Sequence, residues 1–273
     1  MMKTEWNQEK QTLKPLGHVP DPPSKFKHYV TALFIIGLLF ASAYQTEATF
    51  EELILGLPEM AKLMEQMLPP DWAYFEPIVE PMLETIRMAV LGTTFGAIMA
   101  VPLSLLAASN VVKSKILFYP TRMFLNLIRT IPDLLKAAIF VAIFGLGAIP
   151  GILALTFFSL GLISKLLYET IEAIDKGPLE AMTAVGANKI QWIFFGVVPQ
   201  ISAHFMSYTL YTFEVNIRAA AVLGLVGAGG IGHYYEKTLG FLQYDRVASI
   251  IIFTLVIVLI IDYTSTKIRE KLL

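Results

Sequence analysis

The chain has 273 residues, of which 55% are hydrophobic and only 16% charged; its mean hydropathy is +0.62 and its formal net charge −1. A soluble domain carries about 25% charge, so the deficit indicates a membrane protein, and the near-neutral balance supplies no basic surface for nucleic acid. The absence of cysteine excludes disulfides, thiol catalysis and cysteine-ligated metal, and His18, His28, His204 and His233 are scattered without metal-ligand spacing.

In chain order, residues 1–27 are polar and punctuated by proline for too long to be a secretory signal, and read as a cytosolic tail. Six apolar runs then approach the ~20 residues needed to cross a bilayer core: 28–44, 85–109, 134–149 (entered through a tilted segment from Lys115), 151–167, 201–225 and 247–263. "IPG" at 149–151 is expected to turn the chain between the third and fourth. Lys and Arg stay in the cytosol, and they gather before the first span, at Lys113, Lys115 and Arg122, at Lys176 and Lys189, and at Lys267, Arg269 and Lys271. The loop at 45–84 holds only Lys62 among many Glu and Asp. The expected fold is therefore all-α and integral to the membrane, with six transmembrane helices and both termini inside, the last residues, 268–273, forming a cytosolic tail.

Residues 28–79 combine the first span with an external segment. There Leu53, Leu57, Met60, Met64 and Met67 fall at helical spacing, until "LPPDW" ends the pattern. A Met-rich stripe of this kind reads as a packing face. Around Pro132, Arg129, Asp133 and Lys136 form a charged group at an expected bend, since a proline biases the preceding residue away from helix; a structural role is expected of it.

The segment 168–199 is too polar to span. It reads as two short helices, Tyr168–Ile174 and Leu179–Val185, the second broken by Gly186. Beyond it the fifth span carries "FEVNIR", with Glu214, Asn216 and Arg218. A charge at the centre of a span costs about 2.5–3.5 kcal/mol, so these residues need a partner or a wet cavity. Glu214 and Arg218 stand four apart, in the favourable order for an ion pair.

"GLVGAGGIG" at 224–232 then satisfies G-x-G-x-x-G through Gly227, Gly229 and Gly232. That pattern binds a dinucleotide only between a strand and a helix of a parallel sheet, and nothing here alternates strand with helix. No G-x-x-x-x-G-K-[ST] occurs either, so the chain has no such ATP loop. Non-helical backbone near the membrane is tolerated where it is buried or lines a cavity, and interrupted helices mark substrate paths in transporters. Gly227, Gly229, Gly230 and Gly232 are thus expected to form a turn or re-entrant segment closing the outer mouth.

"EAMTAVG", followed at the right distance by "VVP", resembles the EAA motif of importer-type ABC transporter permeases. Glu180, Ala181, Gly186 and Pro199 take the motif's Glu, first Ala, Gly and Pro; Met182, Gly196 and Val198 depart from it. Together with "RTIPDLLKAAIFVAIFGLG" and "KLLYETIEAIDKGPLEAM", the glycine-rich stretch is similar to the phosphonate importer permeases. The resemblance implies a type I permease fold over residues 80–267, with 168–199 as the loop that docks a coupling helix into a separate ATPase. It also implies ATP and Mg on two ATPase subunits, no cofactor on this chain, a second permease chain (identical or paralogous) and an extracytoplasmic substrate-binding protein. The implied cargo is a phosphonate, phosphite or phosphate. Arg218 then has three readings: an ion pair with Glu214, a bidentate contact to substrate oxygens, or a gate between two permease copies. Two other classes find less support. A membrane enzyme acting on phosphorylated lipid needs H-E-x-x-H, G-x-S-x-G or an aspartate cluster, none of which occurs, and a secondary transporter for a small anion needs inverted repeats, which are not apparent.

Overall fold

The computed structural model describes residues 25–46 and 50–272, apart from the side chains of Phe50 and Leu53. The expectations placed on residues 1–24, Glu47 and Leu273 fall outside it. The chain divides into two compact units, Met1–Ala61 and Lys62–Leu273.

In the first unit, α1 (Phe26–Gln45) has no buried residue, and Leu33, Phe34 and Phe40 are all exposed. A helix of 20 residues apolar on every side and covered on none is suited to lipid. Helix α2 (Phe50–Gln66) begins with Glu51 and Glu52 at its positive end and stops before Leu68. Leu57, Met60 and Met64 are exposed, so the stripe expected to be a packing face is open in the single chain.

The second unit is a helical bundle. A short turn, Trp72–Tyr74, capped by the Asp71 carboxylate, leads into α3 (Phe75–Ala107). Then come α4 (Lys115–Thr130), α5 (Asp133–Phe144), α6 (Ala148–Ala173) and α7 (Lys176–Ala184). A single turn and a π-helical stretch, Trp192–Val197, precede α8 (Val198–Leu223), and α9 (Ile231–Gly240) and α10 (Tyr244–Leu272) complete the chain. The centre is the pair α3 and α6. Gly92 and Gly96, one turn apart on α3, let its backbone lie directly on Leu155, Thr156 and Ser159 of α6; a Cβ at either glycine would overlap them. Small residues spaced four apart let membrane helices approach this closely. Buried Leu155, Leu160, Ile163 and Leu167 extend the seam along α6.

Among the described residues, five helical stretches are long and apolar enough to cross a membrane: α1, Trp72–Ala107, α6, Lys189–Val226 and α10. The expected third span, 134–149, is not one helix. Helix α5 has 12 residues, about 18 Å, and α4 is a separate helix before it. The chain turns at Gly145–Gly147, where both glycines have positive φ (83° and 129°). Residues 149–151 lie inside α6 rather than in a hairpin, because the turn is already made at Gly145–Gly147; Gly151 then packs against the carbonyl of Ala228 and the end of Met88. Tyr168–Ile174 is likewise no separate helix: α6 continues through Ala173.

Candidate functional site

The charged residues of α8 divide between two faces. At 100° per residue, Glu214 and Arg218 share a face and Asn216 points away from it. Asn216 is fully buried, and its Nδ2 donates to Thr93 Oγ1 of α3 and Ser159 Oγ of α6, both at 2.7 Å. It therefore pins α8 to the central pair from behind and does not join Glu214 and Arg218.

Glu214 is buried, with 7% of its side chain exposed. Its Oε1 accepts from Arg218 Nη2 at 2.6 Å, and its Oε2 accepts from Arg269 Nη2 of α10 at 3.1 Å. Arg269 also donates to Thr266 Oγ1 at 3.0 Å and lies over the Tyr211 ring. Side chains on a helix lean toward its N-terminus, which carries the guanidinium of Arg269 back along α10 to Glu214. One carboxylate is thus shared by two guanidinium groups. The two differ in access: 49% of the Arg218 side chain is exposed, against 24% for Arg269. Sequence spacing revealed the first partner of Glu214; nothing in it signalled the second, 55 residues away.

The glycine-rich stretch is a turn held on three sides. Gly227, Gly229 and Gly230 have φ of 82°, 79° and 71°, a region L-residues rarely enter. The Gly227 carbonyl accepts from Gly147 N–H at 2.9 Å, and Ile231 N–H donates to Thr85 Oγ1 at 2.8 Å. Gly232 has ordinary φ, yet its Cα lies against the Ala221 carbonyl and Gly224, so α9 crosses the end of α8 backbone to backbone. The turn lines a cleft of ≈ 480 Å³ with Glu84, Leu146, His233 and Glu236. No strand adjoins it among the described residues.

At the other end of α8, Asp175 caps α7 by accepting from Gly177 N–H at 3.0 Å. Glu180 and Ala181 are exposed on α7, Met182 is half-buried, and Gly186 ends the helix with φ 74° in open space. Trp192 Nε1 donates to the Leu179 carbonyl at 3.0 Å, and Gln200, beside Pro199, holds Asp175 by accepting from its N–H at 3.0 Å. Gly196 stands against Leu179 and Met182. The room left by Gly196 is taken chiefly by Leu179, whose Cδ2 would lie 3.0 Å from a Cβ there, while Met182 stays at ordinary contact distance. Val185 and Ile190 project outward from this loop, 76% and 78% exposed.

A clamp that the sequence did not announce ties this loop to the start of α4. Glu172 Oε1 accepts from Ser109 N–H at 2.7 Å and from Arg122 Nη2 at 2.6 Å. Arg122 also donates to the Ala107 carbonyl at 2.9 Å and lies between the Phe118 and Tyr168 rings. Lys189 Nζ donates to the Val111 carbonyl at 2.6 Å. Among the described residues, no cluster of three or more His, Asp or Glu could hold a metal.

Residues 100–271 match the family described as "Binding-protein-dependent transport system inner membrane component". The chain is 35% identical over 253 residues to the putative phosphite transport system permease protein HtxC of Stutzerimonas stutzeri, covering 93% of this chain and 90% of that one. It is also 35% identical to the phosphite transport system permease protein PtxC of the same organism, over 88% and 84% of the two chains. In fold it resembles the inward-facing MetNI methionine ABC transporter, with a TM-score of 0.63, 21% identity and 72% of this chain covered against 96% of that one. The chain therefore belongs to the binding-protein-dependent transport system inner membrane components, and is a multi-pass permease of an ABC importer in the cytoplasmic membrane.

Proposed function

We propose that the chain carries a phosphorus oxyanion (a phosphonate, phosphite or phosphate) across the membrane, between itself and a second permease chain. A substrate-binding protein delivers the cargo, and two separate ATPase subunits, holding ATP and Mg, drive the cycle. The observation that carries this reading is Arg218, a half-exposed guanidinium on a membrane-crossing helix whose carboxylate partner is already shared with Arg269. Such a group needs a wet cavity or an anion, and its planar fork suits tetrahedral oxygens. The names of the 35% identical relatives support the substrate class.

In this reading α4 and α5 together make the sixth crossing, and both chain ends lie in the cytosol. Helix α7 then faces the cytosol and docks on an ATPase through Glu180, Ala181, Met182 and the exposed Val185. Gly186 and Pro199 fix the shape of that loop, and the Glu172–Arg122 clamp and Lys189 pass its movement to α3 and α4. Glu214 and Arg218 face the path, Asn216 holds α8 in register behind them, and Gly227, Gly229, Gly230 and Gly232 form the outer closure. Glu180→Lys and Gly186→Pro should leave the protein in the membrane but abolish substrate-stimulated ATP hydrolysis in proteoliposomes containing the full importer. Wild-type stimulation together with wild-type uptake in both variants would remove α7 from the coupling role.

A further inference from the structure

We infer that Arg269 is a positioning residue for the oxyanion site: by taking one oxygen of Glu214, it leaves Arg218 free to receive the substrate. This inference rests on the reading of Arg218 as a path residue. The structural basis is the charge count of a single group. Glu214 supplies one carboxylate, and Arg218 and Arg269 supply one guanidinium each, so the group carries one net positive charge within a membrane-crossing bundle. With Arg269 in place, Glu214 is held at Oε2 from α10 and offers Arg218 only Oε1. Arg218 therefore keeps most of its five donors unspent, on the more exposed of the two guanidinium groups.

Without Arg269, Glu214 and Arg218 form a closed, neutral pair. Both carboxylate oxygens are then available to a fork built to take them in bidentate fashion, and an incoming anion must displace that pair. The substrate would meet a site with no net charge instead of one with a single positive charge. Removal of Glu214 as well restores the count, since Arg218 then stands alone with its charge uncompensated. A residue that merely braced α8 against α10 would not behave this way, because loss of Glu214 would break the same brace a second time.

The test is uptake of methylphosphonate and of phosphite by proteoliposomes holding the complete importer, at matched amounts of inserted permease. Arg269→Ala should lower uptake roughly tenfold, the worth of one charge-assisted hydrogen bond. The double variant Glu214→Gln/Arg269→Ala should return it to within about twofold of wild type, by the same count of charges. Arg269→Gln, which keeps part of the side-chain bulk and loses the charge, should match the alanine variant and replaces it if that variant fails to insert. Wild-type uptake in Arg269→Gln, or a double variant as poor as the single, would overturn the role given to Arg269. Arg218→Ala separates the two levels: it leaves the neutral Glu214–Arg269 pair and so orphans no charge. Wild-type uptake in Arg218→Ala would overturn the path reading itself, whatever Arg269 does.

Discussion

At the scale of single residues, the glycines of the 224–232 turn have two different physical reasons to be glycine. Gly227, Gly229 and Gly230 are needed for their backbone angles, all with φ above 70°. Gly232 has no such angle; it is needed because the Ala221 carbonyl and Gly224 occupy the space where a side chain would begin. A backbone cannot move aside as a side chain can, so Gly232→Ala should destabilise the detergent-solubilised protein by the ~1–3 kcal/mol typical of overpacking. Gly240, ten angstroms or more of chain further along the same helix α9 by rise alone (about 1.5 Å per residue), has nothing within contact distance, and Gly240→Ala should not lower the melting temperature. Thermal unfolding of both variants checks the contrast; equal melting temperatures would contradict it. The sequence marked these glycines as a cluster and as unlike a nucleotide loop. It could not separate angle from contact, because the contact is made by residues of α8 whose crossing with α9 appears only in three dimensions. The pairing of Glu214 with Arg218 was legible as i,i+4 spacing for the converse reason, since both partners lie on one helix. The shares taken by Arg269 and Asn216 were not, as their partners lie on other helices.

At the scale of elements, the break between α4 and α5 follows from one missing donor. Pro132 has no N–H to give the Ile128 carbonyl, and Ile131 is extended (ψ 124°) where α4 ends. Lys136 reaches back toward that carbonyl, with Nζ at 3.5 Å, and pairs with Asp133 at 2.6 Å. Only 8% of the Lys136 side chain is exposed, against 40% for Asp133. Loss of the carboxylate alone therefore leaves a buried ammonium unpaired, whereas loss of both charges leaves none. Because Asp133 is partly solvated, Asp133→Asn should cost less than breaking a fully buried pair, on the order of 1–2 kcal/mol, and Asp133→Asn/Lys136→Met should recover most of it. A double variant less stable than the single, by thermal unfolding, would contradict this account of the break. The charged group and the bend were readable from "RTIPDLLK". The helix beyond is shorter than its apolar run implies, since "FGLGAIPG" offers two turn signals and apolar content alone does not say which one ends the helix. Gly145 and Gly147 do, and the proline at 150 instead falls in the first turn of α6, where a missing N–H costs nothing. The Gly92–Gly96 pair that seats α3 on α6 was also present in the sequence as two glycines four apart. Two glycines inside a long apolar span do not by themselves say which helix they meet.

For the whole molecule, the membrane class and the helical architecture follow from composition and from runs of apolar residues, and both are present in the structure. The loop proposed to dock on an ATPase carries a local motif, within some twenty residues, and local motifs can be read from a sequence. The charged group on α8 was only half legible, because its second guanidinium comes from α10; in the proposed function a second chain completes the path beside it. In the proposed function this assembly moves a phosphorus oxyanion inward at the expense of ATP hydrolysed on another subunit. A site with one net positive charge favours an anion and disfavours a cation such as choline. The direct measurement is uptake of labelled methylphosphonate, phosphite, phosphate and choline into proteoliposomes containing the permease, its ATPase and its binding protein, with and without ATP. ATP-dependent accumulation of at least one of the three phosphorus oxyanions and none of choline is expected; accumulation of choline, or oxyanion uptake that proceeds equally without ATP, would overturn the proposed function.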